Sequence, residues 1–178
     1  MDSHAFIKHY EGVLPNIVCD WLIDSFEGSD RLVTRRKGPQ NFKEMNLNQF
    51  REDAAQTMVK FLHSAYSRYC TDIKETAFFP DPALEEFRVK RYTGGTGQQF
   101  AEHVDVGSLS SAKRYLAFLF YLNDDFEGGE THFFPNTRIK PVKGSVVVFP
   151  PMWMYPHAGL PVESGTKYIM SSYLNYDA

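Results

Sequence analysis

The sequence predicts an α+β, mainly β domain in which two helices are followed by a double-sheet β roll. Helical spacing of apolar residues is confined to roughly the first 80 residues, whereas short apolar or alternating runs separated by turns follow from residue 86. The aromatic content is high, at 15 Phe, 10 Tyr and 2 Trp, and aromatic residues favour pleated, half-buried surfaces. Because 178 residues fit one hydrophobic core, we expect one domain over residues 1–178, with 1–80 as mainly helical support and 86–174 as the β roll.

Two amphipathic helices are predicted in the first part of the chain. The first follows Pro15 and ends near Gly28, and the second covers about residues 49–70. Each has one apolar face that must pack against another element, so we expect the helices to cover one sheet of the roll. These faces are formed by Ile17, Val18, Trp21, Leu22 and Phe26 in the first helix, and by Ala54, Ala55, Met58, Phe61, Leu62 and Ala65 in the second.

The segment between the helices is predicted to be a short strand followed by an irregular loop. Residues 32–34 have strand character, whereas residues 35–48 are polar, with Gly38-Pro39 as a turn signal. Long irregular loops in compact domains often cover active sites, so residues 35–48 are a candidate lid over a substrate. A solvated charge cluster is the competing interpretation of the basic run at residues 35–37.

The β roll is predicted from five strands, at residues 86–92, 115–122, 131–134, 145–149 and 167–174. Residues 93–97 and 123–129 are Gly-rich turns between them. Side chains of the first strand alternate between two faces, with Phe87, Val89 and Arg91 on one face and Arg88, Lys90 and Tyr92 on the other. Spacing of this kind, with helices beforehand, is typical of a double-sheet β roll.

Composition excludes several functional classes. The net charge of −3 gives no reason to expect nucleic-acid binding. Cys19 and Cys70 form neither a disulfide framework nor a metal knuckle, and we interpret both as buried free thiols in a reducing compartment. Residues 1–12 lack the apolar core of a signal peptide, and no apolar run approaches the roughly 20 residues that span a membrane. We therefore expect a cytoplasmic protein.

The strongest chemical signal is a candidate metal site formed by His103, Asp105 and His157. In His103-Val104-Asp105 the ligand-type side chains are two positions apart, which places them on one face of a strand. His157, 52 residues after Asp105, is the best third ligand. Two histidines and one carboxylate leave adjacent positions open, as in non-haem Fe(II) oxygenases. A solvated loop pair is the alternative reading of His103 and Asp105 taken alone, and the filled carboxylate position favours hydroxylation over halogenation.

Lys167 is a candidate anion-binding residue. It lies ten residues after His157, on a strand whose neighbouring residues have core character. A cation there could pair with a carboxylate deeper in the roll, as a point charge rather than as a bidentate fork. An ordinary surface lysine is the alternative.

With these residues in place, the sequence resembles the prolyl 4-hydroxylase family of 2-oxoglutarate/Fe(II)-dependent dioxygenases. The resemblance covers roughly residues 86–174, about half of the chain, and residues 1–80 carry no matching motif. The matching pieces are Tyr92 with Gly97-Gln98, His103-Val104-Asp105, Arg114, Tyr121-Leu122-Asn123, Gly128-Gly129-Glu130-Thr131, Pro141-Val142-Lys143-Gly144, Phe149, His157-Ala158-Gly159, Pro161-Val162 and Gly165-Thr166-Lys167-Tyr168.

The resemblance implies a double-stranded β-helix, the jelly-roll or cupin-like fold, with Fe(II) on His103, Asp105 and His157. It implies that Lys167 binds the distal carboxylate of 2-oxoglutarate, helped by Tyr92 and Thr131, and that Arg114 faces the substrate. The implied reaction consumes 2-oxoglutarate and O₂, releases succinate and CO₂, and hydroxylates the 4-position of a prolyl residue in a peptide or protein. Ascorbate is a further cofactor that the resemblance raises.

Two departures from the family pattern bear on the substrate. The loop between Tyr92 and His103 is longer than usual, and Tyr173 stands where the family often has a Trp beside the substrate proline. Hydroxylation of a small molecule or of another side chain is therefore an alternative, and a non-catalytic metal-binding β roll is a second. The short, single-domain form favours a microbial or viral enzyme, and the oligomeric state is open.

Overall fold

The computed structural model describes residues 4–38, 40–79 and 82–176, and within them the chain is mainly β with few helices. The α-helices are α1 (Asn16–Glu27), α2 (Leu47–Phe50) and α3 (Glu52–Asp72), and short 3-10 helices cover Lys74–Phe78 and Leu109–Ser111. The strands are β1 (Lys8–Tyr10), β2 (Val33–Arg35), β3 (Gln40–Asn46), β4 (Pro82–Leu84), β5 (Arg88–Thr93), β6 (Gln99–His103), β7 (Arg114–Tyr121), β8 (Glu127–Gly128), β9 (Thr131–Phe133), β10 (Thr137–Ile139), β11 (Val146–Phe149), β12 (His157–Gly159), β13 (Val162–Ser164) and β14 (Thr166–Tyr176).

The strands form a nearly closed antiparallel β sandwich of the double-stranded β-helix type. The larger sheet has the order β1-β11-β7-β14-β5-β3, and the smaller sheet continues from the same strand as β3-β6-β12-β9-β10. Strand β2 pairs with β3, β4 pairs with β14, and β8 and β13 form a separate two-stranded pair. The predicted fold class is confirmed, and the five predicted strands of the roll all exist, with ends displaced by no more than two residues.

Strand β7 shows why the roll has two separate hydrophobic layers. Its alternate residues Leu116, Phe118 and Phe120 join the cluster that packs under the helices. Ala117 and Tyr121, with Leu119 between them, join the second cluster, inside the roll. Because both faces are buried, the strand is apolar almost throughout instead of alternating with polar residues. The functional groups that point to the second face therefore lie in a dry interior.

The helices cover the outer face of the larger sheet, as predicted. Helix α1 starts directly after the extended Pro15 and buries Cys19, Leu22 and Phe26. Helix α3 buries a face that runs from Ala54 to Tyr69. Full burial of a side chain such as Phe26 stabilises the fold by about 1.5–3 kcal/mol relative to exposure. The second helix was predicted to begin at residue 49, but residues 47–50 form the separate helix α2.

The prediction that residues 35–48 form an irregular loop is wrong, whereas their role as a lid over a substrate stays a prediction. Residues 40–46 are strand β3, which pairs with β5 in the larger sheet and with β6 in the smaller one, and so joins the two. The polar pattern is misleading because Glu44 is buried, only 6% exposed, and is neutralised by Arg35 and Arg88. Gly38 has the positive φ of a turn, whereas Pro39 is outside the described residues.

The prediction that both cysteines are buried free thiols is correct in part. Both are free thiols, but only Cys19 is buried, and Cys70 is half-buried. Among the described residues, no helix combines the length and the apolar character needed to cross a membrane.

Candidate metal centre and cosubstrate pocket

His103, Asp105 and His157 converge inside the roll, and one ligand atom from each lies within 4.8 Å of the others. His103 ends β6 and His157 begins β12, and the two residues face each other directly across this antiparallel pair. Asp105 lies just beyond the end of β6, with its carboxylate oxygens 3.4 Å from His103 Nε2 and 3.6 Å from His157 Nε2. The predicted His-Asp-His facial triad is therefore present.

Backbone carbonyls fix the orientation of both histidine rings. His103 Nδ1 donates to the carbonyl of Ala101 at 2.8 Å, and His157 Nδ1 donates to the carbonyl of Tyr155 at 3.0 Å. Since a carbonyl only accepts, each Nδ1 carries the proton and each Nε2 offers its lone pair to the centre of the triad. Phe100 stacks on His103 with ring centroids 3.7 Å apart, which holds that ring in place.

The charges of the triad suit a divalent metal. Burial would raise the pKa of Asp105, but its interactions with His103, His157 and Lys90 lower it to about 2. Burial lowers the pKa of His157 below its ordinary value, although Asp105 opposes this. An ionised carboxylate and a neutral imidazole are the forms that bind metals. Tyr173 Oη donates to Asp105 Oδ1 at 3.0 Å and so orients the carboxylate.

Lys167 is buried beside the triad, with only 2% of its surface exposed. Its Nζ donates to the carbonyl of Gly129 at 2.5 Å. No carboxylate lies within 4.0 Å of this Nζ in the part of the chain that the structure describes. Burial lowers its pKa to about 7, although Glu130 opposes the shift. A buried ammonium without a counter-ion is costly, so this position calls for an anion.

Two tyrosine rings lie near Lys167, and Thr131 lines the same cavity. Its Nζ lies 5.6 Å from the ring centroid of Tyr92 and 5.8 Å from that of Tyr121. Tyr121 Oη donates to Thr131 Oγ1 at 2.6 Å, whereas the buried hydroxyl of Tyr92 has no hydrogen-bond partner among the described residues. One inner cavity is lined by Lys167, Tyr92 and Thr131 together with the triad. An unpaired cation and an unpaired hydroxyl fit the carboxylate of 2-oxoglutarate.

The Gly128-Gly129 turn allows Lys167 to reach this position. Gly129 has φ of +67°, and a Cβ there would lie 3.2 Å from Lys167 Cδ. Gly128 has φ of +73°, and a Cβ there would lie 2.7 Å from the carbonyl oxygen of Pro161. Both positions therefore require glycine, on backbone conformation and on space.

An outer cleft of about 470 Å³ opens onto His103 and Asp105. It is rich in cations, and most of them have carboxylate partners. Arg114, which was predicted to face the substrate, lines this cleft, but its Nε and Nη2 donate to Glu85 at 2.8 and 2.7 Å. Its guanidinium also lies 3.9 Å from the ring centroid of Tyr173. Arg114 and Tyr173 thus form one wall of the cleft.

Three residues with a place in the site were not singled out from the sequence. Tyr121 lies in a motif that was matched to the family, and Phe100 gave no signal by its spacing. Lys90 was placed on the same strand face as Tyr92 by the alternation of β5, and both residues line the inner cavity.

A β roll that holds a facial triad beside a buried lysine without a carboxylate partner among the described residues defines a site of the metal-dependent oxygenase class. The sequence profile of the 2OG-Fe(II) oxygenase superfamily matches residues 87–175, half of the chain. This chain belongs to the 2OG-Fe(II) oxygenase superfamily. The family and the triad imply Fe(II) and 2-oxoglutarate.

Similar proteins include a proposed prolyl 4-hydroxylase of Acanthamoeba polyphaga mimivirus. It is 36% identical over 110 residues, which cover 51% of this chain and 44% of that protein, so the chain spans less than half of the relative's length.

Solved structures share the fold. A viral collagen prolyl hydroxylase from Paramecium bursaria Chlorella virus-1, in complex with 2-oxoglutarate, has a TM-score of 0.74 at 24% identity over 97% of both chains. A prolyl hydroxylase from Trichoplax adhaerens, in complex with a hypoxia inducible factor peptide fragment, has a TM-score of 0.75 at 15% identity, over 96% of this chain and 84% of the other.

Proposed function

We propose that this chain is a 2-oxoglutarate- and O₂-dependent Fe(II) dioxygenase that hydroxylates a prolyl residue of a peptide or protein at the 4-position. The observation that carries the proposal is the position of the facial triad beside Lys167, a buried cation without a counter-ion among the described residues. One atom of O₂ enters the new hydroxyl group and the other enters succinate. The carboxyl group next to the keto carbon of 2-oxoglutarate leaves as CO₂.

The triad residues would hold the metal through His103 Nε2, His157 Nε2 and the Asp105 carboxylate. When bound, Fe(II) together with 2-oxoglutarate and O₂ supplies the oxidising chemistry that converts a C–H bond to C–OH. Three protein ligands leave the coordination positions that this chemistry requires. The buried rings of Phe133 and Phe149 pack against His157, with centroids 5.5 and 4.9 Å from that of its ring.

Lys167 and Tyr92 would bind the distal carboxylate of 2-oxoglutarate. The anion supplies the counter-ion that Lys167 lacks, and it accepts a hydrogen bond from the Tyr92 hydroxyl, which has no partner among the described residues. Thr131 Oγ1, which accepts from Tyr121, has its own proton left to donate into the same cavity. This set of donors fixes 2-oxoglutarate at the end farthest from the reacting atoms.

Support for a prolyl substrate comes from the names of the similar proteins and from Arg114. The mimivirus relative is named for prolyl 4-hydroxylation, and the Trichoplax protein was solved with a peptide. Arg114 Nη1 lies 3.5 Å from the carbonyl oxygen of Asp105 and faces the cleft, where it could also donate to a carbonyl of a bound peptide. Tyr173 supplies an aromatic surface next to it.

A small-molecule substrate is the second candidate, and the charged lining of the outer cleft is the observation that favours it. Ascorbate dependence stays a prediction.

Purified protein with Fe(II) and 2-oxoglutarate should convert a proline-containing peptide to a product that is heavier by one oxygen atom, with one succinate for each product. If 2-oxoglutarate is consumed but no peptide is oxidised, the prolyl assignment fails and the oxygenase class remains.

A further inference from the structure

Lys90 is a second buried cation of the site, distinct from Lys167. It lies on β5, only 6% exposed, and its Nζ donates to Ser171 Oγ at 2.6 Å. It lines both the inner cavity and the outer cleft. Lys90 therefore lies at the junction between the metal centre and the space that a substrate would occupy.

Lys90 differs from the other cations of the cleft because it has no carboxylate partner in the part of the chain that the structure describes. Arg35 pairs with Glu44 at 2.9 Å, Arg88 pairs with Glu44 at 3.3 Å, and Arg114 pairs with Glu85 at 2.7 Å. Throughout residues 4–38, 40–79 and 82–176, no carboxylate oxygen lies within 4.0 Å of Lys90 Nζ.

Two aromatic rings flank the ammonium group of Lys90. The centroids of the Phe42 and Phe100 rings lie 5.7 and 5.8 Å from Nζ. Such contacts offset part of the cost of burying a charge, but they do not satisfy the N–H donors. One of the three donors is used by Ser171, and two have no acceptor among the described residues.

The free donors point to a carboxylate as the missing partner. Ser171 Oγ accepts from Lys90, so its own proton is available to donate to the same anion. The three arginines of the cleft each have a carboxylate partner, which is Glu44 for Arg35, Glu44 and Glu86 for Arg88, and Glu85 for Arg114. Among the described residues, Lys90 is therefore the cation of the cleft that is left for an added anion. Phe100 stacks on His103, so an anion held by Lys90 would be fixed close to the metal.

We infer that Lys90, with Ser171, binds a carboxylate group of the substrate next to the carbon that is hydroxylated, and so determines substrate specificity. The inference rests on the proposed function, because it requires a substrate in the outer cleft. Two sources offer this chemistry. One is the side chain of an Asp or Glu beside the target residue, and the other is the α-carboxylate of a C-terminal or free amino acid.

The test compares matched substrates and three variants. Proline peptides with Glu or Gln next to the target residue probe the side-chain source, and peptides ending in proline as the free acid or the amide probe the α-carboxylate. The variants are Lys90→Met, Lys90→Arg and, as a control, Lys43→Met, which removes a lysine from the opposite face of the adjacent strand β3. Binding is measured by calorimetry without O₂ on protein loaded with Fe(II) and 2-oxoglutarate, and oxidation is measured in parallel.

We expect the wild type and Lys43→Met to bind one acidic substrate at least about tenfold more tightly than its amide, because a hydrogen bond to a charged group is worth about 1.5–3 kcal/mol. Lys90→Met should lose this preference and Lys90→Arg should retain part of it, while 2-oxoglutarate affinity stays unchanged in both. Lys90→Met should also melt no lower than the wild type, because it removes a buried charge that lacks a counter-ion.

Two results would overturn the inference while leaving the proposed function intact. One is that the wild type hydroxylates proline peptides with equal preference for acid and amide forms. The other is that Lys90→Met weakens 2-oxoglutarate binding and leaves the acid preference unchanged, which would assign Lys90 to the cosubstrate. Absence of both peptide binding and peptide oxidation in the wild type would instead reject the prolyl function, and with it the inference for peptides.

Discussion

Lys167 and Tyr92 are direct partners across the antiparallel pair β14–β5, and both point into the roll. This register places a buried ammonium and a buried hydroxyl side by side, although the two residues are 75 positions apart in the sequence. Neither group has an anionic partner among the described residues. The pair is therefore suited to bind an anion, as proposed for the distal carboxylate of 2-oxoglutarate.

Removing either donor should weaken 2-oxoglutarate binding. Lys167→Met should nearly abolish it, because the distal carboxylate would lose its counter-ion, and Tyr92→Phe should cost about 1–2 kcal/mol for one lost hydrogen bond. Tyr168→Phe is a matched control, since the Tyr168 hydroxyl bonds to Glu27 on the outer surface. Calorimetric titration with 2-oxoglutarate measures the effect, and unchanged affinity in Lys167→Met would remove Lys167 from the pocket.

The affinity for 2-oxoglutarate should also depend on pH. Burial lowers the pKa of Lys167 to about 7, so the free protein loses this proton as the pH rises through 7. The distal carboxylate of 2-oxoglutarate binds the protonated form of Lys167. The affinity for 2-oxoglutarate should therefore be highest below pH 7 and should fall above it, and binding above pH 7 should be accompanied by net proton uptake. Titrations of the wild type at several pH values check this. A flat profile in the wild type would show that Lys167 stays charged without its ligand.

Gly129→Ala should reduce both stability and cosubstrate binding. An alanine at this position would have to adopt the left-handed backbone conformation, which costs about 1–2 kcal/mol. Its Cβ would also lie 3.2 Å from Lys167 Cδ. Gly12→Ala separates these two effects, because Gly12 has φ of +66° but no atom within 4 Å of the added Cβ. Both variants should therefore have a lower melting temperature than the wild type, whereas only Gly129→Ala should bind 2-oxoglutarate more weakly. Equal binding by the two variants would contradict the contact with Lys167.

Tyr173→Phe should weaken metal binding without removing a ligand. The variant loses the 3.0 Å hydrogen bond to Asp105, and loss of such an outer contact lowers metal affinity by about 10- to 100-fold. Competition between the protein and a metal chelator measures the change. If Tyr173→Phe binds metal as well as the wild type, the hydroxyl does not orient Asp105.

The sequence predicts the chemistry of the site better than the elements that carry it. His103, Asp105, His157 and Lys167 are visible because these residue types follow a known motif order, although Asp105 lies beyond the end of β6 and not on the predicted strand. Strand β3 is missed because Glu44 looks like a surface residue until its partners Arg35 and Arg88 are brought to it by the fold. Such long-range pairing leaves no periodic signal in one sequence.

The same reasoning explains why Lys90 was not singled out as a functional residue. Alternation places it on the inner face with Tyr92, but a lysine on a strand is usually solvated. The inferred role of Lys90 depends on its lack of a carboxylate partner. Each neighbouring arginine of the cleft has such a partner, whereas Lys90 has none in the described parts of the chain. Only three-dimensional distances reveal that difference.

The most direct test of the oxygenase assignment is the yield of succinate from 2-oxoglutarate with Fe(II), O₂ and a proline peptide, compared between the wild type and Asp105→Ala. We predict equal amounts of succinate and oxygenated peptide for the wild type. For Asp105→Ala we predict neither product, together with a circular dichroism spectrum that shows an intact fold. Full succinate formation by Asp105→Ala, or its absence from a wild type that binds Fe(II) and 2-oxoglutarate, would contradict the account.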